Sequence, residues 1–297
     1  HCSDHRIQAM KLYRAAAFSS GGKGGNPAGV AVCSRALSES TMQALARDVG
    51  YSEVAFLHPE GGSWRVRYFA PEIEIPFCGH ATIAAGAILG LNHGVGQYDL
   101  KTNFASVPVV ASMSSTGWMA RFVSPRTFTR EMALTYVERL RACFGLVPDD
   151  LDAGLPPRLM NAGANHALIA LRSRRRLSHM GYAFNELLHV KRELDLATVT
   201  LVYRESDDVF HARNPFAAGG VYEDPATGAA AAALAGYLRD LGIKRSGSLR
   251  IIQGEDMGRR SEIFVDYDAA RGTGVRIAGE VSVWGSSELD ARLMAVD

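Results

Sequence analysis

Two stretches of this chain echo one another at long range, and that echo limits the folds open to it more than any other feature. Phe77-Cys78-Gly79-His80-Ala81-Thr82-Ile83-Ala84-Ala85 is followed 145 residues later (222 − 77) by Tyr222-Glu223-Asp224-Pro225-Ala226-Thr227-Gly228-Ala229-Ala230. Ala81, Thr82, Ala84 and Ala85 coincide with Ala226, Thr227, Ala229 and Ala230, and Leu89 coincides with Leu234. Each copy opens a helix of small residues from a polar turn, among short strands, as a duplicated unit would. Chance matching in alanine-rich helices is the competing explanation. Duplication predicts an α+β chain of two pseudo-symmetric halves, each a sheet wrapped around one central helix whose small side chains let strands approach on every side. The 297-residue length suits two such halves. We draw them at residues 1–125 and 126–297, with the last strands able to cross back to the first half.

The local pattern fills in this frame. Lys11 to Phe18 and Ala28 to Cys33 read as strands around the glycine-rich loop Gly21 to Asn26. Ser38 to Gly50 reads as a helix, with Ser38 or Ser40 to cap it, Met42, Leu45, Ala46 and Val49 at helical spacing, and Gly50 to end it. Glu53 to Leu57, Trp64 to Phe69, Val107 to Met113 and Trp118 to Val123 read as strands, and His80 to Leu91 as a small-residue helix. In the second half Glu131 to Phe144 is expected to be helical, stopped by Gly145. Pro225 to Leu241 is expected to be a long helix with proline in its first turn. His166 to Leu171, Thr198 to Tyr203, Leu249 to Ile252, Glu262 to Tyr267 and Val275 to Val283 read as strands.

Composition removes whole classes of function. Lys and Arg total 32 against 31 Asp and Glu, so no strongly basic surface calls for nucleic acid. The run Arg172, Arg174, Arg175 and Arg176 reads as a solvated loop or helix end. Cys2, Cys33, Cys78 and Cys143 show no paired spacing, so neither a zinc site nor a disulfide framework is expected, and a reducing cytoplasm fits them. His1 to Arg6 lack an apolar core for a secretory leader, and Ala81 to Leu91 is too short and too rich in small residues to span a bilayer. His1 and His5 have the look of a frayed end. Gly21-Gly22-Lys23-Gly24-Gly25 fails the phosphate-loop pattern. No dinucleotide fingerprint, nucleophile elbow or zinc-protease motif occurs. Metals and cofactors are therefore not expected.

Two turns and one acid remain as candidates for chemistry. Cys78-Gly79-His80 and Asp224-Pro225-Ala226-Thr227-Gly228 each open a helix. If the two helix starts face one cleft, their free N–H groups and positive dipole ends make a carboxylate site without basic side chains. Ordinary capping, with Asp224 as N-cap, is the plainer alternative. Glu53 sits beside Val54, Ala55 and Phe56, where burial would raise its pKa and suit it to proton transfer. It can equally face solvent or pair with an arginine. His80 can shuttle protons or cap, and Cys78 can be a thiolate or a buried structural residue.

Taken together these residues resemble the PhzF family, phenazine-biosynthesis-like isomerases related to diaminopimelate epimerase and proline racemase. Gly25-Asn26-Pro27-Ala28-Gly29-Val30 is similar to the family's G-N-P-x-x-V, Ser52-Glu53-Val54-Ala55-Phe56 to S-E-T-A-F, and Cys78-Gly79-His80-Ala81-Thr82 to C-G-H-A-T. Glu223-Asp224-Pro225-Ala226-Thr227-Gly228 is similar to E-D-P-x-T-G, and Gln253-Gly254-Glu255 with Met257-Gly258-Arg259 to Q-G-x-x-M-G-R. The resemblance implies a diaminopimelate-epimerase-like fold with its site between the halves, usually in a homodimer. It implies cofactor-independent proton transfer on a small carboxylate-bearing substrate, with Glu53 as acid/base and His80 and Asp224 completing the catalytic group. Asn26, Cys78, Gly79, Thr227, Gly228 and Ala229 are the substrate-binding positions it implies.

The chain departs from the family at three places. Ala229 stands where the family has serine, and a lost hydrogen bond of that kind costs about 0.5–1.5 kcal/mol. Arg213-Asn214-Pro215-Phe216-Ala217 differs from R-x-F-x-P, and glycines with Lys23 lengthen the early loop. Two rivals follow. A two-thiol racemase needs a second cysteine opposite Cys78, where the 145-residue register offers Glu223. A non-catalytic binding module of the same fold is the other.

Overall fold

The computed structural model describes residues 9–218 and 220–290, so His1, Cys2 and His5 lie outside the described residues. The chain forms two compact units. The first holds the described residues up to Gly22, then Asn26–Phe122 and the chain from Gly279 on; the second holds Lys23–Gly25 and Val123–Ala278.

The first unit begins with β1 (Ala9–Ser19), β2 (Asn26–Cys33), α1 (Glu39–Val49), β3 (Val54–Glu60), β4 (Ser63–Phe69) and β5 (Glu74–Ile75). It continues with α2 (Gly79–His93), β6 (Gly96–Lys101), β7 (Ser106–Met113) and β8 (Trp118–Val123). The second unit contains β9 (Phe128–Arg130), α3 (Leu134–Cys143), β10 (Arg158–Asn161), β11 (Asn165–Leu171), α4 (Arg174–Ser178) and α5 (Phe184–Leu194). After these come β12 (Thr198–Arg204), β13 (Val209–Ala218), β14 (Val221–Asp224), α6 (Gly228–Asp240), β15 (Gly247–Gln253) and β16 (Ser261–Tyr267). The last strand, β17 (Arg276–Asp290), starts in the second unit and ends in the first.

Each unit repeats one pairing scheme. In the first, β1–β2 is antiparallel, β2–β3 parallel, β3–β4 and β4–β5 antiparallel, β4–β6 parallel, and β6–β7 and β7–β8 antiparallel. In the second, β10–β11 is antiparallel, β11–β12 parallel, β12–β13 and β13–β14 antiparallel, β13–β15 parallel, and β15–β16 and β16–β17 antiparallel. The senses agree strand for strand, with β3 matching β12, β4 matching β13, and α2 matching α6. The pseudo-symmetry read from the echo is therefore present in the hydrogen-bond ladders of the backbone.

The central helices explain why the echo is written in small residues. Every residue of α2 from Ala81 to Gly90 is buried, as are Gly228 and Ala230 to Arg239 in α6. A helix buried all round has no solvent face to carry charge. A Cβ built at Gly86 would stand 2.5 Å from Val109, and one at Gly236 would stand 2.5 Å from Thr127, so strands run against bare helix backbone. The outer helices are ordinary amphipathic ones. Ser38 caps α1, its hydroxyl accepting from the Thr41 N–H at 3.2 Å, and Gly50 closes it at φ 72°. The buried stripe of α1 (Met42, Leu45, Ala46) packs on Met10, Leu12, Phe56 and Phe69. In the second unit, Leu140, Leu187 and Val190 pack on Ile169, Val199 and Leu201.

Three expectations need correction. Pro225 is not in the first turn of α6, which begins at Gly228; it lies in the turn before, and Thr227 rather than Asp224 is the N-cap. Asp224 ends β14 and accepts a 2.6 Å hydrogen bond from the Thr227 hydroxyl. The arginine run is only partly solvated. Ser173 caps α4, Arg174 pairs with Asp256 at 3.0 Å and with Glu255 at 3.4 Å, and Arg176 pairs with Asp150 at 3.5 Å. No described helix is long and apolar enough to cross a membrane.

Candidate active site

Glu53 lies one residue ahead of β3, where its carbonyl accepts from the N–H of Gly29 on the parallel neighbour β2. Its side chain is 18% exposed, and Oε2 stands 3.1 Å from Nε2 of His80, whose side chain is 11% exposed. That contact is a charge contact without hydrogen-bond alignment, because Oε2 is buried and has no hydrogen-bond partner. On the other side of the ring, Nδ1 of His80 is 3.2 Å from Sγ of Cys78. The Ser52 hydroxyl lies 3.4 Å from Nε2. His80 is thus flanked by a thiol and a carboxylate at the start of α2.

The electrostatics differ from the expectation of a raised glutamate. Burial pushes the Glu53 carboxyl up, but the close contact with His80, with Ser52 and Cys78, outweighs it and holds the group below its ordinary value. Burial pushes His80 down, while the Cys78 sulfur and the Glu53 carboxylate more than reverse this and hold it well above the ordinary imidazole value. Burial raises the Cys78 thiol against the pull of His80. These directions favour the charged imidazolium–carboxylate pair over its neutral form.

The start of α2 has no side-chain cap. Cys78 is the N-cap but makes no side-chain capping bond, and the first turn carries no acid. Its N–H groups are left to other partners. Phe77 and Phe122 stack edge to face beside it, and a Cβ at Gly79 would meet Phe122 at 3.6 Å. Asn26, the other first-unit candidate, opens β2 and is buried.

In the second unit α6 also starts without a side-chain cap or a first-turn acid. Gln253, buried in β15, holds this start together. Its Oε1 accepts from the Thr227 N–H at 3.1 Å, and its Nε2 donates to the Asp224 carbonyl at 2.9 Å and to the Thr227 hydroxyl at 3.0 Å. Gln253 and Ser52 are neighbours of the candidate residues that the sequence displays only as parts of motifs. Gly228 is buried and Ala229 half-buried in the first turn. Glu223 is buried in a two-bond pair with Arg213, at 2.6 and 2.9 Å, which ties β14 to β13.

The structure also moves the register of the echo. Gly79 and Gly228 open the two helices 149 residues apart (228 − 79), not 145. Cys78 is therefore matched by Thr227 and not by Glu223, and His80 by Ala229. The residue before β12, matching Glu53 before β3, is Ala197. A thiol, an imidazole and a carboxylate cluster at one helix start; a hydroxyl and two alanines occupy the matching places.

The fold is that of the racemases and epimerases built from two such units. A hydroxyproline epimerase from Agrobacterium vitis superposes with a TM-score of 0.63 at 15% identity, covering 96% of this chain and 92% of that one. A PhzF-family protein of Bacillus anthracis superposes at 0.82 with 22% identity, covering 95% and 99%. A predicted epimerase of Pseudomonas aeruginosa superposes at 0.80 with 26% identity, covering 94% and 98%. Within that class the sequence is more specific. Residues 15–285 match the family described as phenazine biosynthesis-like protein, PhzC-PhzF, and the chain belongs to that family. It is 30% identical over 272 residues to an uncharacterized isomerase of Mesorhizobium japonicum, covering 86% of this chain and 90% of that protein. It is 27% identical to the uncharacterized isomerase YfhB of Bacillus subtilis, covering 90% and 93%.

Proposed function

We propose that this protein is an isomerase that moves a proton within a small carboxylate-bearing substrate, with Glu53 taking the proton from one carbon and returning it to another. The observation that carries the reading is the lone carboxylate in the cluster at the start of α2. Glu53 is mostly buried beside an uncapped helix start, with one oxygen that makes a charge contact with His80 but no hydrogen bond, and its matching position holds Ala197. One group therefore has to act as both base and acid. As a base, Glu53 accepts the substrate proton and becomes neutral. The electron pair left on carbon spreads toward the substrate carboxylate, where the helix N–H groups and the His80 imidazolium stabilise it. The same Glu53 proton then closes the new C–H bond, so nothing is consumed.

In this reading Asp224 is the second catalytic group, and Asn26, Cys78, Gly79, Thr227, Gly228 and Ala229 contact substrate. The side chains carry the reaction with no cofactor. The protein works in the cytoplasm as a homodimer. The relatives named isomerases support the reaction class. The two-thiol alternative would need a thiol where Thr227 stands.

The test is deuterium uptake from heavy water into a panel of cyclic and amino-acid-derived carboxylates, followed by mass spectrometry. The wild-type protein is expected to exchange at least one of them. Glu53→Gln is expected to slow that exchange by about 10²–10⁴-fold, the usual contribution of a positioned acid/base. Undiminished exchange in this variant would remove Glu53 from the role.

A further inference from the structure

We propose that Glu53, Cys78 and His80 also form a three-ligand site for a thiophilic divalent cation of the Zn2+ kind, and that such a cation switches the proton transfer off. The switching half rests on Glu53 being the base; the binding half does not.

The geometry comes first. One donor atom from each residue lies within 4.8 Å of the other two, and this is the only such His, Cys and acid cluster among the described residues. Nε2 is 3.1 Å from Oε2 of Glu53 and 4.0 Å from Sγ of Cys78. Tetrahedral zinc, with bonds of about 2.0–2.3 Å, sets neighbouring donors roughly 3.4–3.6 Å apart. The three donor atoms are already gathered within 4.8 Å of one another before any cation enters. The ring needs one adjustment. Sγ lies on the Nδ1 side and Oε2 on the Nε2 side, so the Cε1 carbon joining the two nitrogens faces the gap. A half-turn of the imidazole about its Cβ–Cγ bond exchanges Cε1 with Nε2 and aims a nitrogen lone pair into that gap.

Chemistry selects the cation. A thiolate, an imidazole and a carboxylate are the donors of zinc and its cobalt substitute, whereas magnesium and calcium take oxygen. Cys78 would bind as thiolate and His80 as neutral imidazole, one proton from each passing to solvent, and thiolate plus carboxylate then cancel the double charge of the cation. Oε2 gives up no hydrogen bond on binding, because it has none. Cys33 and Cys143 are free but belong to no such cluster. With three protein ligands the fourth position stays open, the arrangement of an exchangeable cation and not of a closed structural site. A cation held there occupies the Glu53 oxygen that the isomerisation needs.

Titration of the chelator-stripped full chain with Co2+ tests the site without any substrate. One equivalent should produce a sulfur-to-cobalt charge-transfer band in the near ultraviolet, and Zn2+ should bleach it. Cys78→Ser should abolish the band. His80→Asn and Glu53→Gln should each weaken Co2+ binding by more than about 10-fold, since losing even an outer partner of a ligand costs about 10–100-fold. Thermal melts confirm that each variant is folded, and His80→Asn serves where Cys78→Ser is not. No band at saturating Co2+, or a band that survives in folded Cys78→Ser, overturns the site. Deuterium exchange that continues while the band is at full strength overturns the switch. A full band with no exchange on any carboxylate leaves the site standing and counts against the isomerase reading alone.

Discussion

At the scale of single residues, the pair made by His80 and Glu53 decides the pH behaviour. Glu53 is held below its ordinary value of 4.5 and His80 above its ordinary 6.5. The carboxylate form that can accept a proton is therefore complete throughout the neutral range, and exchange should fail only as pH falls through the depressed Glu53 value. Replacing His80 by Asn removes the partner that holds the carboxyl down and leaves burial, which raises it. The acid limb of the exchange rate is expected to move to higher pH in His80→Asn; an unmoved limb would deny the coupling. Stability carries the same sign. A raised imidazole stabilises fully below 6.5 and loses that contribution as pH rises through its folded value. A depressed carboxyl stabilises above 4.5 and loses it as pH falls through its folded value. The pair's contribution is thus complete between those two pH values. Glu53 was legible in the sequence as an acid beside apolar residues, but the direction of its shift was not. Burial can be guessed from neighbours in sequence, whereas the imidazole that reverses its effect comes from another element, 27 residues on (80 − 53).

Among the elements, the central helices were legible and their register was not. Both were expected from runs of small residues, and both are there. The echo slipped by four residues, about one helical turn, because alanines recur so densely in both helices that a one-turn shift still matches. Hydrogen-bond topology, which carries no such degeneracy, restores the 149-residue spacing. Less legible are α5, whose N-cap Ala183 offers no capping side chain, and β13, whose Asn214 and Pro215 are poor strand formers beside Arg213. Those polar residues are buried in service of partners that sequence does not display, Arg213 on Glu223 and Asn214 on Thr198 and Thr200. The tight packing of α2 gives an element-scale prediction. Gly86→Ala should gain about 1 kcal/mol of helix propensity but meet Val109 at 2.5 Å and Ala120 at 3.0 Å. Overpacking costs about 1–3 kcal/mol, so a net loss of up to about 2 kcal/mol is expected in urea unfolding. A gain in stability would mean that β7 yields freely to the helix.

For the whole molecule, neither unit is a continuous stretch of chain, and one strand, β17, belongs to both. All three tryptophans, Trp64, Trp118 and Trp284, lie in the first unit, so their fluorescence reports on it alone. Gly236→Ala, which drives a methyl group into Thr127 in the second unit, is nevertheless expected to shift the fluorescence transition and the circular-dichroism transition to the same lower urea concentration. Two separated transitions would show that the units unfold independently. The order of five motifs along the chain made the family legible.

The closeness of strand to bare helix backbone has a last consequence for how proteins of this build diversify. Val109 and Thr127 leave no room for a methyl group at Gly86 or Gly236, so side chains cannot be enlarged at these two helix positions without displacing their neighbours. Room for new side chains on this scaffold lies instead where the helices begin, as at half-buried Ala229 in the first turn of α6.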